Sequence, residues 1–119
     1  MIAPAPKTDK GVEMTFKEES HDFGRVKIGD KVEHTFKFTN TGDEDITVEL
    51  VSGCECSEII YDEGATYKPG DKGEIRVIFH SDEEEKGPVE KTLDILLENI
   101  NPRTGYQYLF ELRYNAILY

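Results

Sequence analysis

From residue 12 onward, apolar and polar side chains alternate with a period of two, the pattern of strands with one face buried. Val12, Met14 and Phe16 are separated by Glu13 and Thr15, and Val32, His34, Phe36 and Phe38 by Glu33, Thr35 and Lys37. Ile46, Val48 and Leu50 alternate with Thr47 and Glu49, and Ile75, Val77 and Phe79 follow the same rule. Leu93, Ile95 and Leu97 continue it, and Tyr108, Phe110, Leu112, Tyr114, Ala116 and Leu118 close it. No window of helix length carries a stripe at 3.6 residues, so an all-β chain is expected.

The breaks between these runs carry turn chemistry. Ile28-Gly29-Asp30, Asn40-Thr41-Gly42-Asp43, Lys68-Pro69-Gly70-Asp71, Lys86-Gly87-Pro88 and Asn101-Pro102-Arg103-Thr104-Gly105 all supply residues that tolerate turn dihedrals. About seven strands in a chain of 119 residues predict an immunoglobulin-like, two-sheet antiparallel β-sandwich. One such domain is expected over 12–119, with a flexible Pro/Ala/Lys-rich lead-in over 1–11. Its expected core is Phe23, Phe36, Phe38, Leu50, Val77, Phe79, Leu93 and Ile95. The chain lacks Trp, and its two cysteines stand too close in sequence to pin two sheets together, unlike the pair of an antibody domain.

The last run is longer than an ordinary strand. It is expected to outrun its neighbours, leaving Tyr114, Ile117, Leu118 and Tyr119 as candidates for an interaction edge that pairs with a protein partner, a neighbouring domain or a second copy.

Charge removes some functions. Fourteen Lys and Arg against 25 Asp and Glu give a net charge of −11, with no basic run to relieve it. Such a field repels phosphate backbones and anionic lipid, which excludes nucleic-acid binding. No apolar stretch has the length of a membrane-spanning helix, so membrane insertion is not expected. The acidic run over 81–85 lacks the alternating oxygen ligands and central glycine of a calcium loop, and reads as a solvated loop tip.

Chemistry, if there is any, passes through Cys54 and Cys56. In an extended strand, residues i and i+2 point the same way about 6.6 Å apart at Cα. That is near the upper limit for a disulfide, so a bridge between them needs a kink or turn. Three states stay open: incidental thiols, a local disulfide, or a soft metal such as copper or zinc held by both thiolates with further ligands. Glu55 and Glu58 flank the pair and deny it the electropositive setting of an activated nucleophile. Among the histidines, His34 reads as a hydrogen-bonded core or rim residue, His21 as a turn or strand-end residue, and His80 as the close of a strand. There is no G-x-S-x-G elbow, phosphate-cradling glycine loop or H-E-x-x-H motif, so no enzyme activity is expected. No cofactor is expected, the alternative being copper or zinc at the cysteine pair.

Several short motifs in fixed order resemble a bacterial family of unknown function, DUF1573, whose members are similar to the ASH and major-sperm-protein-like immunoglobulin domains. Phe16, Asp22-Phe23-Gly24 and Val26 match its opening, and Gly29, Val32, Phe36, Phe38, Asn40, Thr41 and Gly42 its second block. Cys54 and Cys56 match its cysteine pair, with Glu55 where the family has Gly and Ser57 where it often has Thr. Pro69, Gly70, Gly73, Ile75, Val77 and Phe79 match the fourth block. The resemblance implies a non-catalytic binding or structural module, and a periplasmic, secreted or cell-envelope location.

Overall fold

The structure, a computed structural model, describes residues 11–82 and 84–119; apart from Gly11, the expected lead-in lies outside the described residues. Nine strands appear among them: β1 (Met14–Phe16), β2 (Ser20–Val26), β3 (Lys31–Asn40), β4 (Ile46–Ser52), β5 (Ser57–Ile60), β6 (Thr66–Tyr67), β7 (Lys72–His80), β8 (Gly87–Ile100) and β9 (Gln107–Leu118). They form a four-stranded sheet in the order β1-β3-β7-β5 and a five-stranded sheet in the order β2-β9-β8-β4-β6. The immunoglobulin-like sandwich is present, with two differences from the sequence reading. There are nine strands rather than about seven: β1 lies within the alternating run over 12–16, whereas β2 and the short β5 and β6 fall outside the alternating runs of the sequence. The pairing is antiparallel throughout except for β2, which runs parallel to β9.

The inward-facing positions meet in one core. Phe36, Phe38, Val77, Phe79, Leu93 and Ile95 are buried as expected, joined by Ile46, Val48, Val51, Leu97, Leu112, Tyr114, Ala116 and Leu118. Phe23 is only partly buried, packed against the cluster. Leu50 is a correction: it is 44% exposed. A bulge interrupts the β4–β8 ladder between Val48 and Leu50, so Glu49 and Leu50 both face out and Val51 takes the inward place. A bulge adds a residue without adding a pleat, and period-two counting from Ile46 therefore loses phase.

The last strand is the second correction. β9 is not an edge: it lies between β2 and β8 and is paired as far as Leu118, with Val26 on one side and Gly87 on the other. Tyr114 and Leu118 are core residues, while Ile117 and Tyr119 are about half exposed. The expectation failed because β8 is 14 residues long, so β9 has a neighbour along its whole length. Gly87-Pro88, read as a turn, opens β8 instead. β4 pairs with β8 only as far as Asp94, so Pro88 has a partner strand on one side alone, where a missing N–H is tolerated.

The short motifs turn out to build the fold. In Asp22-Phe23-Gly24, Asp22 Oδ1 accepts the Gly24 N–H at 2.7 Å, and Gly24 adopts φ +73°, a conformation glycine reaches without penalty. This breaks the β2–β9 register between Asp22 and Arg25 and brings Val26 into the core. Asn40 is buried; its amide donates to the carbonyls of Glu44 (2.8 Å) and Tyr67 (2.9 Å), and its Oδ1 accepts the Gly42 N–H (3.0 Å). Its main chain is bonded to Asp71 and Gly70 of the Pro-Gly turn. Gly73 leaves room for aromatic rings, since a Cβ there would stand 2.4 Å from Phe38 Cζ. Ser81, also buried, accepts the Gly29 N–H and donates to the Asp30 carbonyl, tying the β7 end to the β2–β3 turn.

Candidate functional site at the cysteine corner

Cys54 and Cys56 occupy the crossover from β4, in the larger sheet, to β5, in the smaller one. Leaving one sheet for the other forces the chain to bend. The Ser57 N–H donates to the Cys54 carbonyl at 3.0 Å, closing a turn with Glu55 and Cys56 at its centre. The turn shortens the Cα–Cα distance to 5.1 Å, within the range a disulfide spans, and the two sulfurs are bonded. The pair is therefore a local disulfide rather than two parallel thiols. In that state it offers no thiolate to a soft metal; metal binding here would first require reduction.

Both cysteines are half-buried and Glu55 is exposed. They line an open hollow of about 540 Å³ with His80, Asp82, Glu84 and Lys91. Lys91 is held by Glu84 at 3.0 Å, and His80 faces Glu58 at 3.3 Å. The hollow is dominated by carboxylates, which would disfavour thiolates if the bridge opened. Behind the disulfide, Ser57 Oγ and the Tyr114 hydroxyl share a hydrogen bond of 2.5 Å, with Cys56 Sγ 3.9 Å from the same hydroxyl. Burial raises the Tyr114 pKa; the Ser57 bond opposes the shift and Glu84 adds to it.

From Tyr114 a chain of rings leads to the opposite flank. Phe23 meets Tyr114 edge-on at 5.5 Å, His21 meets Phe23 at 4.7 Å, and His21 stacks on His34 at 3.7 Å with the planes 8° apart. His34 in turn meets Phe36 edge-on. His34 is thus a rim residue packed on the core, as its place in the alternation suggests, but its Nε2 lacks the expected hydrogen bond. Glu18, in the β1–β2 connection, forms an ion-pair contact with His34. Burial and the neighbouring His34 lower the His21 pKa below its ordinary 6.5, with Glu18 and Asp22 pulling the other way. Sequence reasoning took His21 and His34 singly. Their pairing depends on β2 and β3 lying in opposite sheets, which alternation within each strand does not reveal.

A profile for a family of unknown function matches residues 14–109. The chain belongs to the DUF1573 family. No curated protein matches it. Among solved structures, this DUF1573 chain is similar to a protein of unknown function from Porphyromonas gingivalis W83, with a TM-score of 0.71 at 16% identity over 93% of this chain and 49% of that one. The VesB protease of Vibrio cholerae gives 0.67 at 13% identity, over 93% of this chain and 33% of the protease. The seventh PapD-like (ASH) domain of human CEP192 gives 0.61 at 11% identity, over all of this chain and 93% of that domain. At such identities the likeness is one of fold. The DUF1573 chain spans about a third of the protease and about half of the Porphyromonas protein. Among the described residues, no helix is long and apolar enough to cross a membrane.

Proposed function

We propose that this domain is a non-catalytic protein-binding module of an exported or envelope-associated bacterial protein, and that it binds through the outer face of its five-stranded sheet. The observation that carries this reading is a row of leucines. Leu50 of β4 lies opposite Leu96 of β8, which lies opposite Leu109 of β9. Leu50 and Leu109 are 44% and 59% exposed, and the exposed Ile100 and Tyr106 stand by the loop that joins β8 to β9. Adjacent apolar side chains on a solvent face are a common mark of protein contact surfaces. An exported location is supported by the disulfide, which persists in oxidising compartments and is rare in reducing ones.

The test is a photo-crosslinking amino acid at Leu109, compared with one at the exposed Glu74 on the outer face of the four-stranded sheet, in the native host. A discrete protein adduct from position 109 that disappears on Leu96→Glu supports the reading. Adducts at neither position, or equally at both, overturn it.

A second reading, thiol–disulfide exchange with a partner thiol, rests on the half-buried Cys54–Cys56 bridge at the rim of its hollow. Titration of free thiols across glutathione buffers checks it. The double substitution Cys54→Ser, Cys56→Ser should leave a folded domain, because a bridge enclosing one residue restricts few unfolded conformations.

A further inference from the structure

On the flank of the sandwich, Glu18, His21 and His34 bring one carboxylate and two imidazoles together, with ligating atoms all within 4.8 Å of one another. Among the described residues no other group of three His, Cys, Asp or Glu side chains meets that description. We propose that these three residues form a binding site for a divalent transition-metal ion of zinc type, joining the two sheets.

The donor set selects the ion. Two imidazole nitrogens and one carboxylate oxygen suit Zn²⁺ and its neighbours, whereas Ca²⁺ and Mg²⁺ take oxygen ligands. Three protein ligands leave a fourth tetrahedral position for water or another ligand. The His34 nitrogen facing this cluster, Nε2, is sealed from solvent and meets no group in hydrogen-bond geometry, although Glu18 Oε1 lies against it as an ion-pair contact. A buried imidazole nitrogen without a hydrogen-bond partner, facing a carboxylate, is a place where a cation replaces a missing hydrogen bond.

The geometry requires a small rearrangement. Tetrahedral ligands about 2.1 Å from zinc stand roughly 3.4 Å apart. Donors as much as 4.8 Å apart must therefore close in, while Glu18 and His34, already in ion-pair contact, must open to admit the ion. Glu18 lies on a connection with a half-exposed side chain, and His21 is only partly buried, so both can move. The imidazoles lie face to face at 3.7 Å, and on binding they splay so that their in-plane lone pairs converge. Phe23 meets the His21 ring and Phe36 the His34 ring edge-on. His21 belongs to β2 of the larger sheet and His34 to β3 of the smaller one, so the ion clips the sheets together.

The experiment uses untagged protein and Zn²⁺ as the probe. Calorimetry should give one site per chain, with zinc raising the melting temperature and excess Mg²⁺ failing to compete. Ring-proton NMR should show shifts at His21 and His34 and none at His80. Glu18→Gln and His21→Gln should each weaken binding about tenfold or more. The exposed Glu90→Gln, on the outer sheet face, should leave it unchanged. Unchanged circular dichroism separates loss of a ligand from loss of fold. Binding must also persist in Cys54→Ser, Cys56→Ser. Absence of zinc uptake, uptake indifferent to Glu18→Gln and His21→Gln, or uptake lost with the cysteines overturns the proposal.

Discussion

At the scale of the residue, the side chain that does most to hold the turns is Asn40. Its amide and carboxamide oxygen satisfy three main-chain groups, two in the β3–β4 turn and one at Tyr67, in buried or partly buried settings. Asn40→Ala removes all three bonds, leaving the buried Gly42 N–H and two partly buried carbonyls without this partner. The expected loss is about 2–4 kcal/mol in a denaturant melt, since stranding a buried polar group costs more than the bond contributes. Asn40→Asp should also destabilise, because a carboxylate cannot donate to the Glu44 and Tyr67 carbonyls. Two tyrosines set a limit in alkali. Tyr67 and Tyr114 have pKa values raised above the ordinary 10, in both cases chiefly by burial. A raised folded-state pKa means that the stabilisation is whole below pH 10 and is lost as pH rises through the folded value. Melting temperatures should therefore hold near pH 9 and fall above pH 10, and Tyr67→Phe should flatten that fall. His21 works with the opposite sign. Its folded pKa is lowered below 6.5, so in the metal-free protein its contribution declines as pH falls from 6.5 toward the folded value.

At the scale of the element, the strands were legible wherever both flanks of an alternating run were regular. β3 and β7 pair without a shift from Lys31 opposite His80 to Thr39 opposite Lys72, and there alternation alone places Phe36, Phe38, Val77 and Phe79 in the core. Reading failed at β4, where one bulge turns Leu50 outward, and at β8, where Gly87-Pro88 has turn chemistry but strand geometry. Both failures have one cause: main-chain pairing with a partner distant in sequence overrides a local signal. The cysteine corner was legible in part. The need for a turn followed from strand geometry, but its supply by the sheet-to-sheet crossover required the topology. The place of β9 gives a prediction opposite to that of a free edge. Deleting residues 115–119 removes the buried Ala116 and Leu118 and the ladder partners of both β2 and β8. Loss of one buried leucine alone costs about 2–5 kcal/mol, so the truncated chain should lose its cooperative thermal transition or melt far lower. A truncated protein that melts like the intact one would return the segment to the status of a free edge.

At the scale of the whole molecule, two properties oppose one another. The outer face of the larger sheet carries the Leu50–Leu96–Leu109 row, which would favour association with any apolar surface, a second copy included. The net charge of −11 opposes self-association, because two copies approaching face to face repel. Which effect wins depends on screening. At about 0.01 M salt the Debye length is roughly 30 Å, larger than the domain is thick, and repulsion acts across the whole encounter; at about 1 M it shrinks to roughly 3 Å. The chain should therefore sediment as a monomer in dilute buffer and show a rising associated fraction as salt increases. A metal-free sample keeps zinc from altering the charge. Leu96→Glu, at the centre of the row, should abolish the salt-induced association without lowering the melting temperature, because Leu96 faces outward between the buried Ile95 and Leu97. Association that persists in Leu96→Glu would place the contact on another surface, and a monomer at high salt would show that the leucine row is too small to join two copies. The same balance favours a partner whose own surface combines apolar side chains with positive charge, for which the acidity of this domain assists the encounter.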